Sequence, residues 1–128
     1  MDPDSLLAAV GQAVIGTDRS GRIQYWNRAA QDLYGYTAQE VSGRPLIEVI
    51  APVEAEHLVI EWSARLDAGE SYAGDWPVRD KAGRIFTAYV TLTSVLDDRG
   101  SVVGAVGVSY DVSLQRETEA REAPGSDR

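Results

Sequence analysis

The chain has 128 residues, 44% of them hydrophobic and 25% charged, the make-up of one globular domain able to bury its own core. It contains no cysteine, which excludes disulfides, thiolate metal sites, cysteine nucleophiles and cysteinyl adducts with a chromophore. Twenty acidic against 12 basic residues leave a net charge of -8 with no basic stripe, which argues against nucleic acid as a partner. The opening residues lack the basic region of a signal peptide, and no run approaches the ~20 apolar residues of a membrane span. A soluble, cytoplasmic protein with no membrane partner is expected.

Residues 2–11 read as a helix with Leu6, Leu7 and Val10 on one side. A short pattern then occurs three times: Asp18-Arg-Ser-Gly21, Asp80-Lys-Ala-Gly83 and Asp97-Asp-Arg-Gly100, each followed by an apolar segment. An Asp side chain can bond the backbone two residues on, and Gly takes the positive-φ position, so each is a hairpin turn closed by a glycine. The pattern predicts strand pairs 13–18 with 22–26, 70–80 with 84–95, and the latter with 101–110. In the second strand Ile23 and Tyr25 face one side, Gln24 and Trp26 the other.

Between the first two hairpins the signals are helical. Asn27 is an N-cap and Gly35 a C-terminal stop for a helix of about two turns. Thr37 and Glu40 have capping-box spacing, and Gly43 ends what they start. Residues 45–50 continue as a turn or short helix, and Pro52 opens a longer helix that ends at Gly69. Trp76 shares a strand face with Tyr72 and Val78. Phe86, Ala88, Val90 and Leu92 alternate with polar residues, which marks a strand with one buried face. Residues 101–110 are apolar or tiny on both faces, which marks an interior strand, and Gly104 and Gly107 suit close backbone approach. From Ser113 the chain is polar and starts a solvated helix. The class is α+β, one antiparallel sheet with helices packed on it, divided into a flanking helix at 1–12, a core at 13–113 and a polar connector at 114–128.

The stretch from Asp18 to Pro45 is where the chain resembles a PAS domain: turn, strand, Asn-capped helix, then Gly35-Tyr-Thr-Ala-Gln-Glu40 and Gly43. The turn Asp80–Gly83 before the long strand and Asp111-Val112-Ser113 at the end continue the match, over about residues 5–115. The resemblance implies a PAS fold of five antiparallel strands with short helices on one face, an N-terminal helix and the start of an output helix. It implies a sensory and dimerisation module that signals through Asp111, Val112 and Ser113 to a C-terminal effector: a kinase, a PP2C-type phosphatase or a sigma-factor regulator. It does not imply an enzyme, and no familiar triad can be built with one histidine and no cysteine.

Carried over from the family's topology, a pocket between the long helix and the sheet would be lined by Leu33, Val41, Leu46, Ile50, Leu58, Trp62, Val90, Leu92, Val106 and Val108. Such a wall suits an apolar guest, fatty-acyl-like or a flat ring, although the same residues could fill the space and leave a ligand-free interaction module. The light-sensing PAS subfamily needs a cysteine in the segment that here reads Gly43-Arg-Pro-Leu-Ile; none is present, so only noncovalent flavin stays open. His57 follows Pro52 much as the proximal histidine does in oxygen-sensing haem PAS domains, but where those carry a distal arginine this chain has Asp75-Trp-Pro77-Val, with Arg79 out of register. At about 100° per residue the long helix has a bulky stripe, Ala55, Leu58, Val59, Trp62 and Leu66, and a smaller one, Val53, His57, Ile60 and Ala64. The bulky stripe should face the sheet and turn His57 outward, so haem is disfavoured and no metal is expected. If the strand faces carrying Trp26 and Trp76 turn outward they form an exposed apolar patch, for which the helix carrying Leu6, Leu7 and Val10, from the same chain or a second copy, is the candidate cover; a homodimer is expected on that ground.

Overall fold

The computed structural model describes residues 11–122. The predicted N-terminal helix, with Leu6, Leu7 and Val10, lies outside the described residues. Strands β1 (Ala13–Asp18) and β2 (Ile23–Trp26) are followed by helices α1 (Arg28–Tyr34), α2 (Ala38–Val41), α3 (Leu46–Ile50) and α4 (Glu56–Asp67), the last entered through a 3₁₀ turn, Val53–Ala55. Strands β3 (Tyr72–Arg79), β4 (Ile85–Leu96) and β5 (Val102–Asp111) and helix α5 (Ser113–Glu122) complete the chain. The strands form one antiparallel sheet in the order β2-β1-β5-β4-β3, with β5 in the centre.

The three hairpin turns are built alike. In each, the Gly N–H donates to the Asp carbonyl: Gly21 to Asp18, Gly83 to Asp80 and Gly100 to Asp97, all at 3.0 Å. In each, the Asp Oδ1 accepts the backbone N–H four residues on, from Arg22, Arg84 and Ser101. The glycines hold φ of 85°, 91° and 80°, where a Cβ would be strained. The bond from the Arg22 N–H, joined by Ser20, holds the Asp18 carboxyl below its usual range. The helix ends follow the same local logic. Asn27 Oδ1 accepts from the Ala30 N–H, Gly35 closes α1 at φ 83°, and Thr37 and Glu40 form the complete capping box of α2.

The sheet's inner face joins the helices in one core. Ile15, Phe86, Ala88 and Val90 from the sheet pack with Tyr34, Val41, Val49 and Trp62 from α1 to α4. The 3₁₀ turn and helix α4 together present the bulky stripe: Ala55 and Trp62 are buried, and Leu58, Val59 and Leu66 half-buried.

The two tryptophans expected on the surface are core residues. Ile15 pairs with Trp26 and Gly16 with Tyr25, but Thr17 pairs with Ile23, so Gln24 is an extra residue in β2. This bulge inverts the alternation, and Ile23 and Trp26 both turn inward. Trp26 is 7% exposed, and its indole N–H donates to the Tyr36 carbonyl at 2.9 Å. Trp76 does share a face with Tyr72 and Val78, but that face lies under α4: its ring stands 4.7 Å from that of Trp62. Neither forms an outward dimer patch.

Candidate functional site

The inner layer has a packed half and an open half. In the packed half, Tyr34 lies between Trp26 and Phe86, with ring centroids at 5.7 and 6.2 Å. Its hydroxyl shares a 2.8 Å hydrogen bond with Ser109 of β5. Burial pushes the phenol up to about 12, against a partial pull downward from the Ser109 bond. In the unfolded chain it titrates near its ordinary value of about 10. Its contribution to stability is therefore whole below about pH 10 and is lost as the pH rises through 12. Tyr34→Phe leaves the Ser109 hydroxyl unpaired and is expected to cost about 1–3 kcal/mol at pH 8. That deficit should narrow by on the order of 1 kcal/mol by pH 11, because only the wild-type phenol titrates. Urea unfolding at the two pH values measures both; a pH-independent deficit would contradict the assignment.

The open half is a cavity of about 320 Å³ between α3, α4 and the sheet. Its walls include Leu46 and Ile50 of α3, Val59, Trp62 and Leu66 of α4, Trp76 and Val78 of β3, Val90 and Leu92 of β4, and Gly107 of β5. Ile15 of β1 adds to the floor, and the Asp18–Gly21 turn borders the space. Charge on its lining comes from Asp18, Arg19 and Asp67, of which Arg19 and Asp67 are exposed. Polar atoms are otherwise few, so apolar matter is what this space suits.

Of the ten residues carried over as pocket lining, Leu46, Ile50, Trp62, Val90 and Leu92 stand on the cavity wall. Val41 is wholly buried in the core, and Leu33 and Leu58 pack against that core without reaching the cavity. Val106 and Val108 belong to the opposite face of the sheet. Leu96 pairs with Val102, but Val95 pairs with Gly104, so Val103 is an extra residue in β5. A bulge slips the register by one and turns every later side chain over. Leu92 therefore faces Gly107, and Thr91 and Thr93 face Val108 and Val106. Cavity residues that sequence reasoning missed include Ile15, Val59, Val78 and Gly107. Val59 and Leu66 were already on the bulky stripe of α4; Gly107 needed the bulge.

His57 is exposed on α4 and does not face the cavity. Arg79 is engaged elsewhere, donating to the Glu48 carbonyl at 3.4 Å. The chain's one imidazole is thus not placed as an axial ligand, and the residues here do not fit haem. Among the described residues no group of three His, Cys, Asp or Glu side chains is placed to hold a metal, and no helix is long and apolar enough to cross a membrane.

The C-terminal junction is fastened to β4. The Val112 N–H donates to the Thr87 carbonyl at 2.9 Å, and the Thr87 N–H donates to Ser113 Oγ at 2.9 Å. Asp111 Oδ1 accepts the Ser113 N–H at 2.9 Å, and Asp111 pairs with Arg84 at 3.5 Å. Val112 is buried, and α5 starts directly after it. Strands β4 and β5 thus carry both the cavity wall and the root of α5.

Comparison with known proteins agrees with this architecture. The family model of the PAS fold matches residues 2–112. The sensor protein kinase WalK of Staphylococcus aureus is 28% identical over 116 residues, 91% of this chain but only 18% of the kinase's length. The PAS domain of a Colwellia psychrerythraea protein superposes with a TM-score of 0.74 at 26% identity, over 88% of this chain and 99% of that one. An RNA-binding light-oxygen-voltage receptor superposes at 0.79 and 22% identity, over 91% of this chain and 35% of that one, a likeness of fold alone.

Proposed function

Because the chain belongs to the PAS family, we propose that it is the sensory module of a signalling protein, one that holds an apolar small molecule in the cavity and passes its occupancy to a C-terminal effector. The observation that carries this reading is the position of the 320 Å³ apolar cavity on the strands that hold the root of α5. A guest pressing on Leu92 and Gly107 bears on β4 and β5, and through Thr87 and Asp111 on Val112 and Ser113. The module is a binding and relay unit rather than an enzyme, and its place is the cytoplasm. The kinase relative favours a kinase as effector over a phosphatase or sigma-factor regulator; the chain spans less than a fifth of that relative's length, so this is part of the proposal.

The outer face of the sheet supports pairing of two copies. Val106, Val108 and Tyr110 run along β5 there, with the Tyr89 ring 5.8 Å from that of Tyr110. Tyr110 and Val103 are exposed. Large apolar groups gathered on a sheet face are what an isologous dimer buries.

Native against denaturing mass spectrometry of the purified protein tests the proposal. A mass excess lost on denaturation is expected, and Leu92→Trp, which fills the cavity, is expected to lose it while keeping the wild-type circular dichroism. Retention by Leu92→Trp would remove the guest from this cavity. A dimer mass with no guest in the wild type would replace the sensor reading by a ligand-free interaction module.

A further inference from the structure

Two cavity residues carry buried hydrogen-bond donors that nothing among the described residues satisfies. Trp62 is 2% exposed and Trp76 9%, both line the cavity, and the Nε1 atoms of both are buried without a partner. The third tryptophan of the chain shows the ordinary arrangement, with Trp26 bonded to the Tyr36 carbonyl at 2.9 Å. Buried indole N–H groups nearly always find an acceptor, because an unmade bond leaves the desolvation penalty standing. Trp62 and Trp76 meet edge to face at 72°. Trp62 also stands 4.2 Å from the Tyr72 ring at 60°, but an N–H on a neighbouring ring is a weak contact and does not replace a hydrogen bond to oxygen. Trp62 on α4 and Trp76 on β3 both line the cavity, and because each Nε1 is closed off as packed, an acceptor reaches the donors by a small turn of the rings.

We propose that the cavity recognises an apolar molecule bearing a neutral acceptor oxygen, such as a ketone, which takes the indole N–H groups of Trp62 and Trp76. A carbonyl oxygen has two lone pairs and accepts from two donors at once. The oxygen is neutral because the wall is mainly Ile, Leu, Val and Trp, and the one cation on the lining among the described residues, Arg19, is exposed. A carboxylate placed against the indoles would be a buried charge without a counter-charge, which is strongly unfavourable. The inference rests on the cavity reading above and adds polarity to it: the apolar body fills the space, and the oxygen fixes which way round the body sits.

Matched probes on the wild-type protein provide the test. 2-Acetylnaphthalene and 2-isopropenylnaphthalene have nearly the same shape and differ by C=O against C=CH₂. The ketone is expected to bind roughly tenfold more tightly or better, the difference that one to two net hydrogen bonds make. ¹⁵N–¹H spectra report the donors directly, since the chain has only three tryptophans. The ketone should move the indole resonances of Trp62 and Trp76 downfield and leave that of Trp26 in place, whereas the hydrocarbon should give no downfield shift. Trp62→Phe and Trp76→Phe should each reduce the ketone's advantage; the probe pair makes the test independent of any loss of stability in these variants. Equal affinity for the two probes, or no downfield indole shift, overturns the acceptor assignment and leaves the cavity standing. Tighter binding of 2-naphthoate than of the ketone overturns its neutrality. Failure of all three probes to bind overturns the cavity reading and this inference with it.

Discussion

Gly104→Ala is expected to cost roughly 3 kcal/mol or more, a large fraction of the stability of a small domain. An alanine Cβ at this position would stand 2.2 Å from the Thr17 carbonyl oxygen. That distance is far inside van der Waals contact, and the obstacle is backbone. Relief requires β1 and β5 to part along the pairing that runs from Ala13–Ser109 to Asp18–Gly104. Gly107, three residues on in the same strand, is the internal control. An added Cβ there meets the Leu92 Cδ2 at 2.9 Å, the far end of a flexible side chain beside an open cavity. Gly107→Ala is expected to cost less than about 1 kcal/mol. Urea unfolding of the two variants gives the comparison, and equal losses would contradict the close approach at Gly104.

Asn27→Ala is expected to cost roughly 2–4 kcal/mol, more than a helix cap alone is worth. Asn27 Oδ1 accepts from the Ala30 N–H at 2.9 Å, which caps α1. It also accepts from the Val14 N–H at 2.9 Å, while Nδ2 donates to the Gln12 carbonyl at 3.1 Å. One side chain thus ties the start of α1 to β1, and it is buried. Alanine removes all three bonds and leaves the Val14 N–H in the interior without its acceptor. Asn27→Asp separates the two duties. It keeps both bonds to the oxygen but sets a buried acceptor against the Gln12 carbonyl in place of the donor, so it should recover only part of the deficit. Full recovery would contradict the Gln12 bond. Thermal unfolding of the two variants and the wild type reads this order.

The two substitutions probe different parts of what the sequence discloses. Asn27 was legible as a cap from its place before Arg28-Ala-Ala-Gln-Asp-Leu-Tyr34; its bonds to Val14 and Gln12 were not, because they join residues 13 and 15 apart in the chain. Gly104 was legible as a place for close backbone approach, but the atom it approaches, on β1, was not. All ten lining residues were carried over from the family's topology; five of them stand on the cavity wall, while Val106 and Val108 lie on the other face because the extra residue Val103 shifts the register of this chain's β5.

What the sequence determined by itself is whatever closes within a few residues. The three Asp-x-x-Gly turns, the caps at Asn27 and Thr37, the glycine stop at Gly35 and the stripe that turns Trp62 inward and His57 outward each rest on bonds or angles inside one turn of chain. The tertiary structure decided what passes between strands. The extra residues Gln24 and Val103 make two bulges, and these put Trp26 inside, put Val106 and Val108 outside and set Gly107 opposite Leu92. The covering helix α4 decided that Trp76 faces inward. The reason is geometric. A strand's side chains alternate whatever its partners do, but the register across a pair is chosen by the total packing of both faces, and one inserted residue reverses every face beyond it.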